Sequence, residues 1–147
     1  MSLVSFPSWG LTMGDLVERE GVFYEKLSKT PFNGEVQGER QSKGFFANGK
    51  QEGFWIIRNG FGTKSAAGVF KNGVKFGLWE YYSYGGQRIV RGHYKDGKRD
   101  GFWDGYHGNG KLWVLYKYNN GAKDGFSLTF HDNGQINVKV THSSADL

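Results

Sequence analysis

An all-β fold, a single-layer antiparallel meander of tandem hairpins, is predicted by three observations in this chain. Glycine recurs every 24 residues in several columns, Asn-Gly or Asp-Gly pairs mark one point of each interval, and aromatic residues keep the same register. The glycine columns are Gly49/Gly73/Gly97/Gly121, Gly53/Gly77/Gly101/Gly125, Gly38/Gly62/Gly86/Gly110/Gly134 and Gly44/Gly68/Gly92. The aromatic columns are Phe46/Phe70/Tyr94/Tyr118 and Trp55/Trp79/Trp103. Self-similarity at a period of this size means that each unit packs mainly on its neighbours.

The first thirty residues read as an N-terminal extension or cap. Residues 1–12 are apolar and uncharged, and fit either the end of a truncated signal peptide or a plain extension packed on the first hairpin. Localisation follows that choice: cytoplasmic for an extension, exported for a signal remnant. Thr12-Met-Gly-Asp15 has the form of a helix start and Gly21 that of a stop, so a short capping helix is expected over Met13–Glu20. Residues 31–140 form the repeat domain, and residues 141–147 read as a flexible tail.

Within the repeat domain four units tile 44–67, 68–91, 92–115 and 116–139. Asn48-Gly49, Asn72-Gly73, Asp96-Gly97 and Asn120-Gly121 supply the positive φ angles that two-residue hairpin turns demand. Gly85-Gly86, Asn109-Gly110 and Asn133-Gly134 close the opposite end of each unit. Two turns per unit leave two strands of ordinary length, about ten strands in all. The ends depart from the pattern. Ser65-Ala66-Ala67 stands where the next unit has Ile89-Val90-Arg91, and Ser127 replaces the expected tryptophan, which suits a terminal strand with no neighbour to cover a ring.

An even period puts equivalent positions of successive units on the same face of the sheet. Trp55, Trp79 and Trp103 therefore form one ladder, about 10 Å from unit to unit. Phe54, Leu78, Phe102 and Phe126 form the opposing ladder, which is assigned to the core. The Trp ladder is compatible with two roles, core or exposed docking band. On the second reading the candidate binding residues are Trp55, Trp79, Trp103, Trp113 and Tyr81.

Composition agrees with a thin sheet of rings. Gly is 24 of 147 residues, Pro only 2, aromatics 17% and all hydrophobics 37%, so the large areas that Phe, Tyr and Trp bury must stand in for an aliphatic core. The net charge of +5 mildly favours acidic partners. Absence of Cys excludes disulfides, thiol nucleophiles and thiolate metal sites. No stretch approaches the roughly 18 apolar residues of a membrane-spanning helix.

Reactive side chains mostly fall in repeat columns. His107 and His131 align through the period alone, which leaves them too far apart to share a metal ion with bonds of about 2 Å. No nucleophile elbow and no phosphate loop occurs. Glu52, Asp100 and Asp124 share a turn column and are expected to pair with neighbouring lysines. Lys50, Lys75, Lys98, Arg99 and Lys123 are expected to line one edge of the sheet as a soluble rim. No catalytic residue, metal ligand, cofactor or small-molecule substrate is expected, and nucleic acid is disfavoured because acidic residues interrupt the basic rim.

The runs Gly-Val-Phe-Lys-Asn-Gly-Val-Lys-Phe-Gly-Leu-Trp-Glu-Tyr-Tyr (68–82) and Gly-His-Tyr-Lys-Asp-Gly-Lys-Arg-Asp-Gly-Phe-Trp-Asp-Gly-Tyr (92–106) resemble the MORN repeat. More narrowly they resemble the variant MORN repeats of bacterial YwqK-type, antitoxin-like proteins, over about residues 31–140. That resemblance implies a non-catalytic scaffold, with a partner protein as the first expectation and anionic membrane lipid as the second. A carbohydrate-binding module that uses the Trp column is a third.

Overall fold

The computed structural model describes residues 10–142, which form twelve strands and one short 3-10 helix (Met13–Asp15). Strands β1 (Leu16–Arg19) and β2 (Val22–Glu25) make a separate hairpin. The remaining strands are β3 (Gly34–Val36), β4 (Lys43–Ala47), β5 (Lys50–Arg58), β6 (Lys64–Lys71) and β7 (Val74–Tyr82), then β8 (Arg88–Lys95), β9 (Lys98–Tyr106), β10 (Leu112–Asn119), β11 (Ala122–Phe130) and β12 (Ile136–His142). They form one ten-stranded antiparallel sheet in which spatial order equals chain order. The all-β single-layer meander is therefore the fold.

Turn chemistry sets the register. At one edge Asn48, Asn72, Asp96 and Asn120 have φ near 50°, and each is followed by a glycine with φ between 71° and 91°. Both central residues of a type I′ turn need such angles, and that turn follows the natural twist of the flanking strands. These turns are also tied to one another. The N–H of Gly73 donates to the Gln51 carbonyl (2.8 Å), that of Gly97 to Lys75 (3.3 Å) and that of Gly121 to Arg99 (2.8 Å). At the opposite edge Gly62, Gly86, Gly110 and Gly134 close wider loops, each donating its N–H to the carbonyl three residues earlier.

The N-terminal cap differs from the expected helix. Thr12 and Asp15 do form a capping box, but the helix stops after one turn. The chain is already extended at Leu16 and enters β1, and Glu20-Gly21 then adopts the same pair of positive φ angles (52° and 76°) as the hairpin turns. Gly21 is thus a strand-to-strand turn, not a helix stop. This hairpin covers the first repeat, with the Phe23 ring 5.0 Å from that of Phe46. At the other end β12 runs to His142, so the repeat sheet takes in residues 141 and 142 of the expected tail. The remaining tail residues, and most of the segment read as a signal remnant or extension, lie outside the described residues.

One face of the sheet carries the core, and it is the Trp face. Trp55, Trp79 and Trp103 are 1%, 0% and 1% exposed, whereas Phe54 is 62% and Phe102 51% exposed. The core assignment of the Phe/Leu ladder is therefore corrected, and the exposed reading of the Trp ladder with it. The physical reason is a bulge. Gly53, Gly77 and Gly101 take φ of 72°, 65° and 72°, which shifts the register by inserting extra residues opposite the preceding strand. Each indole then lies over a bare glycine of that strand. A Cβ on Gly44, Gly68 or Gly92 would fall 2.2–2.3 Å from the rings of Trp55, Trp79 and Trp103 respectively. Every indole N–H also donates to the carbonyl of the residue after that glycine, Phe45 (3.1 Å), Val69 (3.0 Å) or His93 (3.1 Å). A buried indole must find such an acceptor or forfeit about 1–3 kcal/mol.

Between the indoles stand Phe46, Phe70, Tyr94 and Tyr118, which meet them edge-on. The centroid distances run 4.9 Å (Phe46–Trp55), 6.0 Å (Trp55–Phe70), 4.9 Å (Phe70–Trp79), 6.3 Å (Trp79–Tyr94), 5.1 Å (Tyr94–Trp103) and 6.2 Å (Trp103–Tyr118). Edge-to-face pairs at these separations add about 0.5–1.5 kcal/mol each beyond burial. The core is thus a continuous zipper of rings on one side of the sheet.

Candidate binding surfaces

The zipper leaves two unlike surfaces, the ring face above it and the open face behind the sheet. Trp55, Trp79 and Trp103, three of the candidate binding residues, form the floor of the ring face and present no area to a partner. Tyr81 lies beside them, half-buried, with its hydroxyl 2.9 Å from that of Tyr94 and 2.8 Å from Lys75 Nζ, which donates to it. Trp113 alone of the candidates is well exposed, at 50%.

Lys75, Arg99 and Lys123 were expected at the rim with Lys50 and Lys98. Register places them on the ring face instead, because Lys75 pairs with Phe70, Arg99 with Tyr94 and Lys123 with Tyr118. Lys75 Nζ stands 4.5 Å from the Trp79 ring centroid, the Arg99 guanidinium 4.3 Å from that of Trp103, and Lys123 Nζ 4.0 Å from that of Tyr116. The charged heads themselves rest over the rings, as cation–π pairs do, and Lys75 and Arg99 also donate to the Tyr81 and Tyr118 hydroxyls. Burial opposes the Arg99 charge, but contacts with the Tyr118 and Tyr94 hydroxyls outweigh it and hold the guanidinium above its ordinary value.

On the open face the exposed column is Phe54, Leu78 and Phe102, with Phe126 half-buried and 6.4 Å from the Phe102 ring. Phe45 on β4 extends it at the N-terminal side, and Phe76 lies beside it on β7. Ion pairs flank it: Arg88–Glu80 (2.7 Å) and Arg91–Asp104 (2.9 Å). Hydrogen bonds from Arg88 and then Tyr82 hold the Glu80 carboxyl below its usual range. The hydrogen bond to Asp104 raises Arg91 in turn. The turn-column carboxylates do not pair with lysines. Glu52 Oε2 accepts the N–H of Asn72 (2.7 Å) and Asp100 Oδ1 that of Asn120 (3.3 Å), each bonding the hairpin turn of the next unit. Alternating polarity in the sequence does not show this, since the contact depends on how far one turn overhangs the next.

Trp113 borders a shallow groove of about 660 Å³ lined by His107, Phe130, Asp132, Gln135 and Asn137. His107 is held there between Asp132 (Nδ1–Oδ1 3.3 Å) and the Phe130 carbonyl (3.2 Å). Its ring lies 6.2 Å from that of Trp113. No group of three or more His, Cys, Asp or Glu placed to share a metal ion occurs among the described residues. In comparisons with protein-family models, curated proteins and solved structures, the chain matches none.

Proposed function

We propose that this protein is a non-catalytic repeat scaffold that docks a partner protein on its open face, as its resemblance to antitoxin-like MORN repeats implies. The observation that carries this reading is the exposed Phe54/Leu78/Phe102 column. Large apolar side chains aligned on the solvent side of a sheet mark interaction surfaces in water-exposed proteins. Aromatic anchors on such a surface commonly supply most of the binding energy. Ion pairs beside the column provide a polar rim that fixes orientation.

The test compares capture from a lysate of the source organism by the wild type and by a Phe54→Ser/Phe102→Ser variant. A partner retained by the wild type and lost by the variant supports the reading. Identical capture by both sinks it. Retention that vanishes at high salt and is matched by anionic vesicles would favour the lipid reading instead.

A second reading has its own observation. The exposed Trp113 ring beside Asn137, Gln135 and Asp132 has the composition of a sugar-stacking platform. Quenching of tryptophan emission by an oligosaccharide, abolished by Trp113→Ala, is its test.

A further inference from the structure

Charge is partitioned between the two faces of the sheet. The carboxylates carried by strands β4–β12 are Glu52, Glu80, Asp100, Asp104 and Asp124. Glu80 pairs with Arg91 and Asp104 with Leu115, in register with the open-face positions Leu78 and Phe102. Glu52 pairs with Phe45 and Asp100 with His93, also on that side, while Asp124 alternates with the ring-face Lys123. The ring face of these strands thus has Lys75, Arg99 and Lys123 but no carboxylate. None of these three cations takes part in an ion pair among the described residues. Rings and tyrosine hydroxyls hold them in place and leave their charge uncompensated.

Their spacing is set by the sheet. Lys75, Arg99 and Lys123 occupy equivalent positions on β7, β9 and β11, so successive cations stand two strands apart, about 10 Å. An extended polyproline II chain has three residues per turn and rises about 3.1 Å per residue, so every third side chain repeats on one side at about 9.3 Å. A strand-like peptide does not match, because its side chains alternate at period two. Half-buried Tyr81, Tyr94 and Tyr116 lie between the cations, and aromatic surfaces of that kind are what proline ridges pack on.

We infer that the ring face binds an acidic peptide in polyproline II conformation, with a carboxylate at every third position set against Lys75, Arg99 and Lys123. This site is on the opposite side of the sheet from the apolar docking column and does not depend on it.

The experiment uses two fluorescent peptides of identical composition, one a repeated Glu-Pro-Pro triplet and the other with its glutamates in one block. Binding is read by anisotropy at low salt, with circular dichroism as a check on folding. The wild type should hold the periodic peptide about tenfold tighter than the blocked one, a factor well within what three desolvated charge contacts can supply. Lys75→Gln/Arg99→Gln/Lys123→Gln should lose that preference. The open-face variant Lys95→Gln/Lys117→Gln/Lys139→Gln, with the same change in net charge, should keep it. If the ring-face triple variant does not fold, Lys123→Gln alone, at the exposed end of the row, should still weaken binding about twofold to threefold.

Equal binding of the two peptides would overturn the inference, as would equal losses in the two triple variants. So would binding of phosphatidylserine vesicles without binding of either peptide.

Discussion

Tyr116 pairs with Ser127 across β10 and β11, and this pair inverts the arrangement of the preceding units. In those units the glycine column is empty and the next strand supplies the ring, as in Gly92 and Trp103. Here the glycine column carries the ring and the tryptophan column carries a small, buried hydroxyl. Ser127 is therefore not a consequence of standing at the end of the sheet. β12 lies beyond it, and His142 on that strand hydrogen-bonds its hydroxyl.

The inversion makes Ser127→Trp a sharp probe. With Tyr116 in place the new indole has no bare backbone to lie on, and overpacking should cost about 1–3 kcal/mol. Combining it with Tyr116→Gly restores the Gly/Trp pairing of the other units. A double-mutant cycle by urea denaturation should then show a favourable coupling of about 1 kcal/mol or more.

The two ladders should respond in opposite ways to truncation. Trp79→Ala removes a fully buried ring from the middle of the zipper and should cost about 3–5 kcal/mol. Phe102→Ser acts on a half-exposed ring and should stay within about 1 kcal/mol while improving solubility. Thermal melts of the two variants side by side would check both.

Gly97→Val tests the turn column. The residue sits at φ 75°, and a Cβ there would meet Val74 Cγ1 at 2.8 Å. A β-branched side chain resists that backbone angle, so the variant should lose about 1–2 kcal/mol or more. An unchanged denaturation midpoint would mean that the turn can re-form in another type.

The Glu80–Arg88 pair predicts a small acid-sensitive contribution. The folded carboxyl is held below its unfolded value by Arg88 and Tyr82. Its stabilisation is therefore complete above the unfolded value of about 4.5 and is lost as pH falls through the lower folded one. Because the pair lies at the surface, the effect should be about 0.5 kcal/mol or less. The difference between wild type and Glu80→Gln should accordingly shrink below pH 4.

Much of the fold was legible because the period is a backbone property. Asn-Gly and Asp-Gly pairs dictate turn type locally, and turns at a constant interval leave no choice but a meander. Which face is buried was not legible, because alternation divides residues into two sets without saying which set packs. The deciding signal was the Gly44/Gly68/Gly92 column, whose bare backbone admits an indole only after the bulge glycines shift the register. The cation row was misplaced for the same reason. Lys75 and Lys98 look alike beside a turn, yet one residue of alternation sends Lys75 over a tryptophan and Lys98 to the opposite side.

Strand order equal to chain order has a consequence for how such a chain can change length. Excising residues 68–91 would join Ala67 directly to Gly92. That glycine would meet β5 as Gly68 does now, in the same direction and with the same side toward the rings. A gain or loss of one whole unit therefore needs no rerouting, whereas a cut of half a unit would reverse every later strand and exchange the two turn edges. Genetic slippage in whole repeats is thus tolerated structurally, so the length of the cationic row can drift among descendants of this gene while its spacing stays constant.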